Sequence, residues 1–332
     1  MINMLKIITR SQLNTDAWNA CVASSRHVRV YGYSWYLDAV LPAPDWQWVG
    51  IVNVDTFGAY QAVMPVPLRR KRVAGILYRW VVHQPFFCPF LSIFSAAEWP
   101  DTAPFFEQLL RRFRYGSLFC LQRQPGIDLS SVACHLRTTH TIDLSVGYNR
   151  VYSTYTRDRK LNLRRARHAF EADNRWTLVE STDIEPLLTL FRENHADAID
   201  GGVADWAYVL FRKLAHSLHE RGLFLLRYAV CDGQIEAGAL FVCEETRITY
   251  LFNAASPLGR KANARTMLID QLIQEKAGQP VIFDFESPEK PSIRSFYQSF
   301  GAIEEPFWAM RWNRLSAIEN WLRIGWSYFK KL

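Results

Sequence analysis

The sequence predicts an α+β protein built from two copies of one unit, each a mixed, mostly antiparallel sheet flanked by helices. Three observations predict it. The chain has 332 residues, which at ~150 residues per domain makes about two domains. Its second half reads as the element order α-α-β-β-β-α-β-α-β, and the first half runs a degraded version of that order. Hydrophobic residues make up 49% of the chain against 21% charged, enough for packed cores and incompatible with a disordered chain.

In the first half, helical patterns cover Asp16 to Ala23 and Trp35 to Val40. Strand-like runs follow at Trp46 to Val54, Ala59 to Val66 and Leu77 to Val82, with Asp55 to Gly58 as a hairpin turn. Phe105, Leu109 and Leu110 place a helix over Thr102 to Phe113, and Ser117 to Gln122 reads as a buried strand. In the second half, Ile184, Leu187, Leu188 and Phe191 line one helical face. A second helix runs from Trp206 to Arg221 and stops at Gly222. Asp232-Gly233 is a hairpin turn between strands Leu223 to Val230 and Ile235 to Cys243, and Arg247 to Asn253 is a third strand. Ala264 to Lys276 is helical and Val281 to Phe285 is a short buried strand. Pro291 starts a helix with Ile293, Phe296, Tyr297 and Phe300 on one face; Gly301 ends it, and Phe307 to Trp312 closes the domain.

Between the halves lies Arg157 to Arg167, where six of eleven residues are basic and one is acidic. Leu163, Ala166 and Phe170 share its apolar face; the rest is a solvated linking helix or an anion-binding stripe beside a cleft. The predicted domains are 1–150, a linking helix at 151–170, 171–314, and an amphipathic C-terminal helix at 315–332. That last helix packs on the body or, through its tryptophans and terminal lysines, touches a membrane surface.

The formal net charge of +7 favours anionic partners such as nucleotides, CoA, tRNA or acidic lipids. Six scattered cysteines, several in apolar runs, read as reduced and buried. No secretory pattern or ~20-residue apolar run appears, so a cytoplasmic, soluble chain is expected. Arg69-Arg70-Lys71-Arg72 reads as a solvated hairpin turn that could widen a tRNA or membrane surface. The eight histidines show no metal spacing, so no metal is expected, and HExxH, GxSxG, P-loop and GxGxxG motifs are lacking. Metal hydrolases, α/β-hydrolases, kinases and dinucleotide oxidoreductases are thereby disfavoured.

Three segments in order carry a family resemblance. Lys160-Leu161-Asn162-Leu163-Arg164-Arg165-Ala166 resembles the R/K-x-N-x-R-R-A helix of Fem-type aminoacyltransferases and CelD-like acetyltransferase-domain proteins. Phe283-Asp284-Phe285-Glu286-Ser287 resembles the strand and turn near their C-terminus. Ser295-Phe296-Tyr297-Gln298-Ser299-Phe300-Gly301-Ala302 resembles the FY-x-x-FGA helix end of GNAT-fold acyltransferases. The resemblance covers mainly residues 150–312 and implies two GNAT-like domains in tandem. It implies transfer of an acyl group from acyl-CoA, or of an aminoacyl group from aminoacyl-tRNA, to a small-molecule, glycan or peptide amine, in cell-envelope or polysaccharide metabolism. The alternative is a catalytically silent module that binds an anionic polymer or lipid carrier. The chain departs from CoA-binding relatives in their Q/R-x-x-G-x-G/A loop: Pro257 to Ala264 keeps one glycine, Gly259.

The candidate site residues follow from this frame. A helix starting near Ala264 points free N–H groups and its positive end at a donor phosphate, and Gly259, Arg260, Lys261 and Arg265 lie beside that end. The competing reading is an exposed basic turn. Asp284 and Glu286, two apart in a strand, share a face; one of them recognises or deprotonates the acceptor ammonium, or Glu286 or Ser287 caps the following helix. The resemblance gives Tyr297 a proton-donor role toward the leaving group, while its place in the apolar stripe gives it a packing role. It gives Asn253 a place where two central strands splay and a donor carbonyl is polarised; a plain strand-end residue is the alternative. Lys160, Arg164 and Arg165 are the expected substrate contacts of the basic helix.

Overall fold

The computed structural model describes residues 4–73, 77–97, 101–122, 132–172, 175–199, 202–286 and 290–320. The chain forms two compact units, residues 1–137 with 306–332, and residues 138–305. The basic helix and residues 138–150 therefore lie in the second unit.

The first unit contains strands β1 (Met4–Thr9), β2 (Trp46–Val54), β3 (Tyr60–Val73), β4 (Leu77–Val82), β5 (Phe94–Ser95) and β6 (Tyr115–Cys120), with helices α1 (Thr15–Ala23), α2 (Ser34–Val40) and α3 (Ala103–Arg112). β1 to β4 form an antiparallel run in chain order, β5 pairs with β3, and β4 meets β6 in parallel at Val82 and Gly116. Trp18, Tyr31, Tyr36, Phe90, Phe94, Phe105 and Phe106 are buried in its core. Burying a large apolar side chain contributes roughly 1.5–3 kcal/mol.

The second unit repeats the plan. It holds β7 (Val132–Asp143), which enters from the first unit, α4 (Tyr148–Thr154), α5 (Arg157–Ala172), β8 (Trp176–Ser181), α6 (Glu185–Asn194), α7 (Asp205–His219), β9 (Phe224–Cys231), β10 (Gln234–Cys243), β11 (Arg247–Ala255), α8 (Pro257–Lys261), α9 (Ala264–Lys276), β12 (Ile282–Asp284) and α10 (Pro291–Gln298). β8 to β11 are antiparallel neighbours, and β12 lies parallel to β11. Asp232 and Gly233 both have positive φ, 50° and 78°, as an Asp-Gly hairpin turn requires. The last strand of each unit comes from elsewhere in the sequence. Residues 141–143 of β7 pair with β12, and residues 308–313 of β13 (Ile303–Asn313) pair with β6.

Several elements escape the sequence reading. β1, β7, β8 and α4 carry no turn signal or long apolar period, and cross-strand pairing decides β1 and β8. The basic run Arg69 to Arg72 is no turn: β3 extends to Val73 and pairs with β4 from Leu68 to Val73. Cross-strand bonding overrides the charge, and Arg69 lies over the Trp46 ring at 5.3 Å. All six cysteines are free, and Cys21, Cys88, Cys120 and Cys231 are buried. Among the described residues no helix is long and apolar enough to cross a membrane. Of the predicted C-terminal helix only its start is described: residues 317–320 are helical, with Ser316 and Glu319 forming a reciprocal cap. Residues 321–332 lie outside the described set.

Candidate functional site

The parallel pairing of β11 with β12 covers only Arg247 to Thr249 against Ile282 to Asp284. β11 then runs on from Tyr250 to Ala255 with no strand on that side, so the two strands part within the second unit. The register against β10 slips at Leu251, which has no partner between Tyr250 and Phe252. Such a bulge changes the alternation of faces. Phe252 therefore packs on Phe191 and Phe211, whereas Tyr250 packs on Phe285 and Tyr297, and Asn253 turns to α9. There Arg265 donates from Nη1 to Asn253 Oδ1 at 3.0 Å. With that oxygen taken, the Asn253 amide nitrogen is left to donate. The Tyr250 hydroxyl is buried and lacks a hydrogen-bond partner among the described residues.

Asp284 ends β12 and is 1% exposed. Its Oδ1 accepts from Thr139 Oγ1 at 2.7 Å and from the Glu286 N–H at 2.8 Å, and its Oδ2 accepts from Arg247 at 2.8 Å. Both oxygens are committed to holding β7, β12 and β11 together. Asp284 and Glu286 do not share a strand face, because β12 stops at Asp284 and Glu286 has φ of 62°. For a glutamate that left-handed backbone is strained, a condition common at functional positions. Tyr297 is 8% exposed and stacks on Phe285 with centroids 4.7 Å apart. Burial pushes the phenols of Tyr297 and Tyr250 well above the usual tyrosine range, and for Tyr297 Tyr250 and Glu286 add to the effect. Both hydroxyls keep their protons at neutral pH. Ser287 lies outside the described residues.

The expected phosphate loop folds as α8 followed by α9. Ser256 caps α8 by accepting from the Gly259 N–H at 3.0 Å. Gly259 is the residue this turn needs, since a Cβ there would stand 2.0 Å from the Glu236 carbonyl oxygen. Arg260 and Lys261 are exposed; Arg260 donates to the Ala255 carbonyl at 2.9 Å. Asn263, at φ 55°, opens α9, whose first turn contains no acidic residue. His195 accepts the Ala255 N–H on Nε2 at 3.1 Å. Burial, then Arg265 and Arg260, hold its pKa below the usual histidine range.

The basic helix α5 buries Leu163 and Ala166, and Phe170 stacks on Trp176, as its apolar period predicts. Arg164 and Arg165 are exposed. Lys160 donates to the Ser153 carbonyl at 2.8 Å. The α5 residue that reaches α9 and α10 is instead Arg159, 6% exposed. Arg159, Tyr250 and His195 are the site residues missed from sequence. Arg159 does carry a signal, since it falls four residues before Leu163 on the apolar face; Tyr250 and His195 carry none, because a bulge and a loop bring them in. Among the described residues no group of three His, Cys, Asp or Glu gathers to hold a metal.

Comparison with known proteins agrees with this geometry. The family model "Acetyltransferase (GNAT) domain" matches residues 157–286, within the second unit. The whole chain is similar to the crystal structure of FemX, with TM-score 0.65 and 11% identity over 98% of this chain and 100% of that one. It is similar to L-PGS from Bacillus licheniformis, with TM-score 0.51 and 12% identity over 93% and 95% of the two chains. It is also similar to a conserved protein of unknown function from Bacteroides thetaiotaomicron, with TM-score 0.57 and 11% identity over 94% and 100%. No curated protein matches the sequence. The second unit is a GNAT acetyltransferase domain, and the chain is a tandem GNAT-fold acyltransferase of the Fem-type plan.

Proposed function

We propose that the second unit transfers an acyl or aminoacyl group from a thioester or ester donor to an amine at the free end of β11. The observation that carries this reading is the parting of β11 from β12 with Tyr250, Asn253 and Arg265 on one face. Acyl-CoA is the donor we favour, and aminoacyl-tRNA is the second, in keeping with the likeness to FemX. The first turn of α9, with Arg260, Lys261 and Arg265, draws the donor phosphates. The Asn253 amide donates to the donor carbonyl as it gains negative charge. Only a neutral amine attacks, so Glu286 takes the ammonium proton; the C–N bond forms, the C–S or C–O bond breaks, and Tyr297 returns a proton to the leaving group. Asp284 positions Glu286 through its main chain and takes no proton itself. The acceptor is a small-molecule, glycan or peptide amine, and the bilayer and cytoplasm assignments stay with the sequence expectation.

The test is thiol release from a panel of acyl-CoAs, and deacylation of aminoacyl-tRNA, with amine acceptors. Glu286→Gln is expected to lower kcat by on the order of 10²-fold or more with the melting temperature unchanged. Tyr297→Phe, which keeps the ring stack, is expected to lower it by about 10-fold or more. A silent binding module would show no turnover with any donor. Its ligand affinity would ignore Glu286→Gln and fall with Arg164 and Arg165 replaced.

A further inference from the structure

The second unit has three buried arginines, Arg159, Arg227 and Arg247, and two of them are neutralised. Arg227 pairs with Glu180 at 2.8 Å and Glu275 at 2.6 Å; Arg247 pairs with Asp284 at 2.8 Å and lies 3.6 Å from Glu305. The half-buried Arg167 pairs with Asp270 at 2.8 Å. Arg159 is different. Its guanidinium lies 4.4 Å from the ring centroids of both Phe296 and Phe300. It donates from Nε to Ser299 Oγ at 2.8 Å and from Nη1 to Thr266 Oγ1 at 2.6 Å. Both partners are neutral hydroxyls, and among the described residues no carboxylate pairs with it.

Further positive charge surrounds it. Thr266 belongs to the first turn of α9, and Arg159 itself is in the first turn of α5, where its N–H donates to Thr156 Oγ1 at 3.2 Å. Two positive helix ends thus meet at one guanidinium. Arg265, also without a carboxylate among the described residues, lies 5.6 Å from the Phe296 ring centroid. Arg159 and Arg265 repel each other, and burial holds the Arg159 pKa down, to about 10. A buried cation without a counter-charge costs several kcal/mol. Where every comparable arginine has its carboxylate, such a cost points to a charge that arrives with a ligand.

We propose that Arg159 and Arg265, at the first turns of α5 and α9, bind an oxyanion of the substrate, a phosphate of the donor or a carboxylate of the acceptor. Side chains here grip what a glycine loop would cradle with its amides. The assignment rests on the charges of the fold and holds independently of Glu286, Tyr297 or the transfer step. Arg159 is a binding and positioning residue and takes no part in proton transfer.

The experiment measures the melting temperature of the full chain at constant ionic strength, with sodium pyrophosphate or sodium succinate replacing chloride. Arg159→Met keeps the apolar stem and removes the charge; Arg150→Gln, which removes an exposed charge from α4, is the control. Wild type is expected to gain several degrees with one of the two anions, and Arg159→Met to lose that gain. Without anion, Arg159→Met is expected to melt no lower than wild type, because the uncompensated charge has gone. A melting temperature that falls with the anion response intact would make Arg159 a structural strut and overturn the proposal. Should Arg159→Met not fold, Arg265→Gln must weaken anion affinity about 10-fold, and an unchanged affinity there overturns it equally. A response to pyrophosphate assigns the oxyanion to the donor, one to succinate assigns it to the acceptor, and no response to either ends the idea. Full turnover by an Arg159→Met enzyme would keep the transfer reading and discard this one.

Discussion

In the first unit the strands β4 and β6 part after Val82 and Gly116, as β11 and β12 part after Thr249 and Asp284. What fills the space differs. The chain between β4 and α3 is long and folds back beside β6: the Leu91 N–H donates to the Phe119 carbonyl and the Leu121 N–H to the Leu91 carbonyl, both at 2.8 Å. Gln84 accepts the Phe119 N–H at 2.9 Å, and Gln122 accepts the Ile93 N–H at 2.9 Å. Phe90, Leu91, Ile93 and Phe94 are buried along that segment. In the second unit residues 256–263 pass straight from β11 into α9, so no chain is left over to enter the gap. Connector length, with the strand plan unchanged, makes one parting a packed interior and the other an accessible strand end.

The largest test of this contrast is at Asp284, the anchor of the open gap. Asp284→Asn keeps the shape and removes the charge, leaving Arg247 buried beside Glu305 alone. Breaking a buried pair from one side costs about 3–5 kcal/mol. The expected outcome is a large drop in chemical-denaturation stability of the second unit, with activity lost in proportion to unfolding. If the variant instead stays folded and loses only kcat, Asp284 acts in the chemistry and the positioning role given to it is wrong.

Next in size is the plug of the first unit. Gln122→Ala strips Ser92 Oγ and both main-chain groups of Ile93 of a buried partner. Leaving buried polar groups unpaired costs about 1–3 kcal/mol. The first unit should lose that stability while donor binding and kcat per folded molecule hold constant. A fall in kcat would place a working site in the first unit as well.

The plan of this molecule was legible in the sequence because it rests on local signals. The Asp232-Gly233 turn, the apolar stripes of α6, α9 and α10 and the Pro291 start all correspond to observed elements. The site was legible in outline only. Arg265 and Asn253 were found, and they touch. Lys160, Arg164 and Arg165 were favoured by the motif that contains them, yet about 100° per residue turns the exposed Arg164 and Arg165 away from the buried line of Arg159, Leu163 and Ala166. The facing of Tyr250 depends on a one-residue bulge, and the separation of Asp284 from Glu286 depends on a single left-handed residue. Neither leaves a mark in residue type or spacing. The exchange of last strands is likewise invisible locally, since β7 and β13 are ordinary strands whose partners are distant in sequence.

The smallest expected effect compares histidines. In the first unit His83 stacks on Trp46, and its Nε2 lies 3.4 Å from Arg69 Nη1. Burial, then Lys71, Arg69 and Arg311, holds its pKa down to about 4. In the second unit His140 is also held below the usual range by burial, but Glu304 at 3.7 Å and Asp284 oppose the shift. A lowered histidine pKa favours the neutral form in the folded state. Stability from His83 is therefore full above about pH 6.5 and is lost as pH falls from there toward 4, because the unfolded chain binds the proton first. His83 is half-exposed, so solvent screens part of this effect. His83→Gln keeps an acceptor for Arg69 and removes the titration. Its melting temperature should fall less than wild type's between pH 7 and pH 5, and His140→Gln should flatten the same curve by less because carboxylates already offset its burial. Equal slopes for wild type and His83→Gln would mean that the cationic cluster of Arg69, Lys71 and Arg311 does not set the protonation of this ring.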